Sequence, residues 1–167
     1  MSPVVLLPNH IETYPDRDGL PSVAVTFDLE PGQVEATLHA LRTVREARYR
    51  VAQVSTDDVL ALRELTSLVD VLADLSGAMG VARIQTTVAR LGVLRGGLAT
   101  FVAAEHLERE GDAAARPIVF DILDAVEDIH ARAVRAALEN AETAPGGPFR
   151  SGDGPGGHRP AGSSRLR

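Results

Sequence analysis

The 167-residue chain has no cysteine, no lysine and no tryptophan, and only 4% of it is aromatic. Without cysteine there is no disulfide scaffold, no thiolate nucleophile and no cysteine-bound zinc. Without lysine there is no phosphate-loop lysine. All 17 basic residues are therefore arginine, set against 23 acidic ones for a net charge of −6. That balance, with so few aromatics, argues against a nucleic-acid binder working through its whole surface. No apolar run approaches the roughly 20 residues of a membrane-spanning helix. The opening Met1–Pro8 segment has a short apolar run, no basic residue before it and a proline closing it, unlike a secretory leader. A cytoplasmic protein without a membrane contact is expected.

What is present is aliphatic. Hydrophobic residues make up 44% of the chain, enough for one core at this length. Composition breaks at Pro145. Residues 145–167 hold 7 of the 15 glycines and 4 of the 10 prolines, with Phe149 as the sole aromatic. Such a segment buries too little to offset its ordering entropy, so disorder is expected there. Its four arginines (Arg150, Arg159, Arg165, Arg167) face one Asp153, a net of +3. Residues 1–144 carry 13 arginines against 22 acids, a net of −9. The expected organisation is one globular domain over 1–144 and a Gly/Pro/Arg tail over 145–167.

Within the body, Val23, Val25, Phe27 and Leu29 alternate with smaller or polar residues, the period of a half-buried strand. A weaker strand, His10 to Tyr14, precedes it across the turn cluster Pro15–Gly19, which predicts a hairpin. Pro31 suits a first helical turn, and Val34, Leu38, Leu41 and Val44 follow helical spacing to about Ala47. Arg50 to Ser55 reads as a short strand. Ser55 or Thr56 then caps an apolar helix to about Leu75, expected to be the most buried, and Gly77 to Gly80 ends it. Val81 to Thr86 reads as a further strand, capped by Thr86 or Thr87 into a third helix that contains Gly92, Gly96 and Gly97. Those glycines either break the helix or admit close packing. Pro117 opens a fourth helix, running to about Glu142. The pattern strand, cap, helix thus recurs three times. The predicted fold is α/β or α+β, with three to four short strands covered on one face by three to four helices and an N-terminal hairpin.

The most specific site candidate lies at the strand ends. In open parallel sheets, ligands bind beyond the carboxyl ends of the strands. Here those ends carry Asp28 and Glu30, then Ser55, Thr56, Asp57 and Asp58, then Thr86 and Thr87. If the strands run parallel, these groups share one edge and suit a divalent cation or polar ligand. Helix capping uses the same residue types. Glu127 and His130 have the i, i+3 spacing of a helical metal pair, and Glu35 and His39 the i, i+4 spacing, but the further ligands that di-iron bundles need are missing. There is no nucleophile elbow, no catalytic set and no phosphate-binding glycine loop, so no cofactor is expected. Arg42, Arg45 and Arg48, with Arg50 just after, make a basic stripe on the first predicted helix, suited to a phosphate or an acidic partner.

The segments Thr56-Asp57-Asp58-Val59-Leu60-Ala61-Leu62-Arg63-Glu64-Leu65 and Thr86 to Leu98 resemble small actinomycete proteins of unknown function. The resemblance covers about a third of the chain. It implies an actinobacterial, intracellular protein and brings no activity with it.

Together these readings lead to a small non-enzymatic interaction or regulatory domain that binds a protein partner or a second copy of itself. The alternatives are a ligand- or divalent-cation-binding module or small enzyme built on the acidic strand ends, and an acidic inhibitor of a basic protein.

Overall fold

A computed structural model describes residues 7–51, 55–104 and 109–143; the Gly/Pro/Arg tail lies outside them. The elements, in chain order, are β1 (Asn9–Pro15), β2 (Pro21–Leu29), α1 (Pro31–Val51), α2 (Thr56–Leu75), β3 (Ala82–Thr87), α3 (Val88–Ala103) and α4 (Asp112–Thr143). This is an α+β fold: a three-stranded antiparallel sheet in the order β1-β2-β3, with four helices on one face.

The hairpin forms where the sequence places it. In the turn, the Asp16 carboxylate accepts the backbone N–H groups of Asp18 at 2.9 Å and Leu20 at 2.8 Å, and Gly19 supplies the positive φ of 75° that closes the loop. β2 is the central strand. Its alternation sends Val23, Val25, Phe27 and Leu29 into the core, while Ala24, Thr26 and Asp28 face outward. β3 repeats the alternation, with Ala82, Ile84 and Thr86 inward.

The strand expected over Arg50 to Ser55 does not appear among its described residues. Arg50 and Val51 complete α1, Ser55 caps α2, and residues 52–54 lie outside the described residues. The run from Gln33 to Val51 contains neither Gly nor Pro, and Arg45, Glu46, Ala47, Arg48 and Arg50 are good helix formers. The β-branched Val51 could not outweigh a helix already propagating. The repeat of three strand–helix units therefore reduces to two, β2–α1 and β3–α3, with α2 between them.

α2 is also less buried than its apolar content suggests. Leu65, Leu68, Val69 and Leu72 are buried, but Val59, Leu60 and Val71 are exposed, because α2 packs on α1 and α3 and not onto the sheet. α3 and α4 cover the sheet, and α1 lies across both. α3 runs unbroken through its three glycines, one of which is a contact point. A Cβ at Gly97 would stand 2.6 Å from Leu41 Cδ2 of α1. α4 begins at Asp112, more than a turn before Pro117, which sits inside the helix. The proline deprives the carbonyl of Ala113 of its donor, and Ala113 is exposed, so water can serve it. At its far end α4 is tied to β1, with Arg132 donating to Asn9 Oδ1 at 2.9 Å and Asn140 to Thr13 Oγ1 at 2.9 Å. No helix among the described residues is long and apolar enough to cross a membrane.

Candidate functional site

The groups expected at a common strand edge do not meet. β2 and β3 are antiparallel, with Asp28 opposite Arg83 and Ala24 opposite Thr87. Asp28 and Glu30 are therefore at one end of this ladder and Thr86 and Thr87 at the other. Asp28 is held by Arg83 through Nε–Oδ1 at 2.9 Å and Nη2–Oδ2 at 3.0 Å. The hydrogen bond from Arg83, helped by its charge, keeps the Asp28 carboxyl below its usual range against the opposing effect of burial. Glu30 precedes α1, its N–H bonded to Gln33 Oε1 at 2.8 Å. Thr86 points inward, with its Oγ1 lacking a partner among the described residues.

The remaining members are helix caps. Ser55 Oγ accepts the Asp58 N–H at 3.1 Å and donates to Asp58 Oδ2 at 2.6 Å, and Thr56 and Asp57 are exposed in the first turn of α2. Thr87 Oγ1 accepts the Arg90 N–H at 3.3 Å. Capping accounts for the hydroxyls of Ser55 and Thr87 and for Asp58.

The helical pairs separate as well. Glu127 is exposed, while His130 is half-buried with Nε2 facing Gly92 of α3. Burial, and then the charge of Arg95, hold the His130 imidazole below its ordinary pKa. Glu35 accepts a hydrogen bond from Ser76 Oγ at the end of α2, and His39 turns to α4. Among the described residues no three His, Cys, Asp or Glu side chains form a metal-holding group.

What His39 meets is the polar centre that the sequence does not reveal. Its Nε2 lies 2.7 Å from Asp112 Oδ1, and Asp112 is only 2% exposed. The second oxygen of Asp112 accepts the Arg109 N–H at 2.9 Å. Burial opposes ionisation of this carboxyl. The bonds from His39 and Arg109, with the charges of His39 and Arg116, outweigh it and hold the pKa below the usual carboxylate range. The His39 ring meets Phe101 edge-on, with centroids 5.9 Å apart at 89°. Arg116 lies over the same phenyl ring at 5.5 Å and donates to the carbonyls of Phe101 and Val102, where α3 ends. Arg109 reaches back to Glu46 of α1 at 2.9 Å. The cluster ties the middle of α1, the end of α3 and the start of α4 together. His39 and Asp112 are 73 residues apart, and an aspartate after a glycine reads from sequence as an ordinary helix start.

Gly111 makes room for this contact. Its φ is +91°, and a Cβ there would stand 3.3 Å from His39 Cε1. Gly111→Ala is therefore expected to lose about 1–2 kcal/mol of stability from the left-handed backbone alone. Urea unfolding showing an unchanged or raised stability would contradict this.

A second feature concerns the surface. Arg42, Arg48 and Arg50 are exposed and Arg45 is half-exposed along the second half of α1, with Tyr49 58% exposed among them. None of these arginines has a carboxylate partner among the described residues, a state they share with Arg17, Arg63, Arg95, Arg116 and Arg135, so what sets the stripe apart is its density. Arginines near a helix C-terminus favour its dipole, but four within nine residues on a body of net −9 exceed that need.

Compared with protein-family models, with curated proteins and with solved structures, the chain matches none of them.

Proposed function

We propose that this chain is a small non-enzymatic interaction domain that receives an acidic protein surface on the second half of α1. The observation that carries the reading is the set Arg42, Arg45, Arg48 and Arg50, without carboxylate partners among the described residues, around the exposed Tyr49. Long arginine side chains beside an exposed aromatic are the composition of interface centres. A dense positive stripe on a body of net negative charge also orients an incoming partner before contact. The His39–Asp112 pair supports the reading indirectly, because it fastens α1 to α4 and so fixes the surface that α1 presents.

An NMR titration with an oligoglutamate peptide tests this. Amide shifts are expected to concentrate between Arg42 and Arg50, to fade as salt is raised to about 1 M, and to be lost in Arg42→Glu/Arg45→Glu. Shifts absent at low salt, or centred on the sheet, would refute the proposal.

A further inference from the structure

We infer that the acidic surface received by α1 is the N-terminal half of α4 on a second copy of the chain; this rests on the reading of α1 given above. Each molecule carries both halves of the contact. On α4, Phe120, Asp124 and Glu127 follow one another at i, i+4 and i+7, and all three are exposed, Phe120 by 59%. On α1, Arg42, Arg45 and Tyr49 follow at i, i+3 and i+7. Residues at these spacings share one helix face.

Laid antiparallel, the two stripes match end to end. Tyr49 meets Phe120, Arg45 meets Asp124, and Arg42 meets Glu127. Aromatic anchors pair at one end and opposite charges along the rest. Neither Asp124 nor Glu127 has an ion-pair partner among the described residues, and the same holds for Arg42 and Arg45.

The fold prevents the stripes from satisfying each other within one molecule. His39 in the middle of α1 meets Asp112 at the start of α4, and Glu46, two turns further along α1, meets Arg109, which precedes α4. The second half of α1 thus extends past the start of α4, away from Asp124 and Glu127. A second copy supplies what the first cannot reach, and self-complementarity of this type is how identical chains assemble. Exposed ion pairs are worth little each, so the contact needs both the aromatic pair and the charges, and the charges also set its direction.

Sedimentation of the full chain tests the assignment. At about 10 mM salt the wild-type protein is expected to show species larger than the 17.7 kDa chain, returning to monomer at about 1 M. Arg42→Glu/Arg45→Glu and Asp124→Arg/Glu127→Arg, each with wild-type circular dichroism, are expected to be monomeric alone. Mixed in equal amounts they are expected to associate again, since each then offers the charge the other needs. Phe120→Ala, at a site too exposed to weaken the fold, is expected to raise the dissociation constant at least about tenfold.

A wild-type protein monomeric at low salt overturns the second-copy assignment. If that monomer still binds oligoglutamate on α1, the interaction reading stands without it; if it binds nothing, both fall. A labelled DNA oligonucleotide bound at α1 in the absence of self-association also overturns the assignment and gives the stripe to phosphate. Self-association that survives both charge reversals would overturn it as well.

Discussion

Gly97→Ala is expected to destabilise the wild-type protein and to stabilise a variant in which Leu41 has been cut back to alanine. In a helix with free space, replacing glycine by alanine gains up to about 1 kcal/mol, because glycine loses more backbone freedom on folding. Gly96 is such a position, with nothing within 4 Å of where its Cβ would stand, so Gly96→Ala should raise stability. One residue on, the Cβ would lie 2.6 Å from Leu41 Cδ2. Leu41 is fully buried between helices, so its side chain has little room to move aside. Overpacking of this sort costs about 1–3 kcal/mol, which exceeds the helix-propensity gain. Leu41→Ala alone should cost about 2–5 kcal/mol through the cavity it leaves. In that background the new methyl meets only Leu65 Cδ1, at an ordinary 3.6 Å, and partly fills the void. Urea unfolding of the four proteins in the cycle reads the coupling, expected to be at least about 1 kcal/mol. If Gly97→Ala stabilised the wild-type protein, α1 and α3 could not approach as closely as described.

One misreading accounts for most of what the sequence conceals about this fold. Strand alternation in β2 and β3, the caps at Ser55 and Thr87, and the hairpin turn at Asp16–Gly19 are all local signals, and each appears where its residues predict. The direction of β3 is not a local property. A single helix between strands returns the chain for a parallel pairing, whereas two antiparallel helices bring it back to the end it left. Glu35, at the start of α1, is bonded to Ser76, at the end of α2, and Leu29 at the end of β2 is paired with Ala82 at the start of β3. A strand over Arg50 to Ser55 would turn this helical hairpin into a further strand–helix unit, make a parallel sheet plausible, and gather the acidic strand ends into one site. Once the hairpin is restored, Asp28 and Thr87 move to opposite ends of the ladder. The polar centre that does form is invisible for a related reason. His39 and Asp112 belong to separate helices, and only the packing of α1 on α4 joins them. The basic stripe of α1 was legible because it is a helical periodicity. Its significance depends on its density and on the absence of carboxylate partners, and only the packed structure displays the latter.

Asp112→Asn is expected to be costly at pH 7 and to cost less as the pH falls below the usual carboxylate range. In the wild-type protein the carboxylate accepts from both His39 Nε2 and the Arg109 N–H. Its pKa is depressed, so its contribution is present above the usual carboxylate range and is lost only as the pH falls through its lower folded value. The asparagine carries no charge and a single acceptor oxygen, so it cannot accept from both donors. The loss at pH 7 is expected to be about 1–3 kcal/mol. Asp112→Leu, which can accept from neither, should lose about 2–4 kcal/mol at that pH. Once the wild-type carboxyl is itself protonated, the charge that the variants lack is gone from both proteins, and the gap to the asparagine variant closes. Urea unfolding along a series from pH 7 towards pH 2 measures the narrowing gap. A gap that is negligible at pH 7, or that does not narrow, would mean that His39 and Asp112 are neighbours without a charge-assisted hydrogen bond, and that α1 is held on α4 by apolar packing alone.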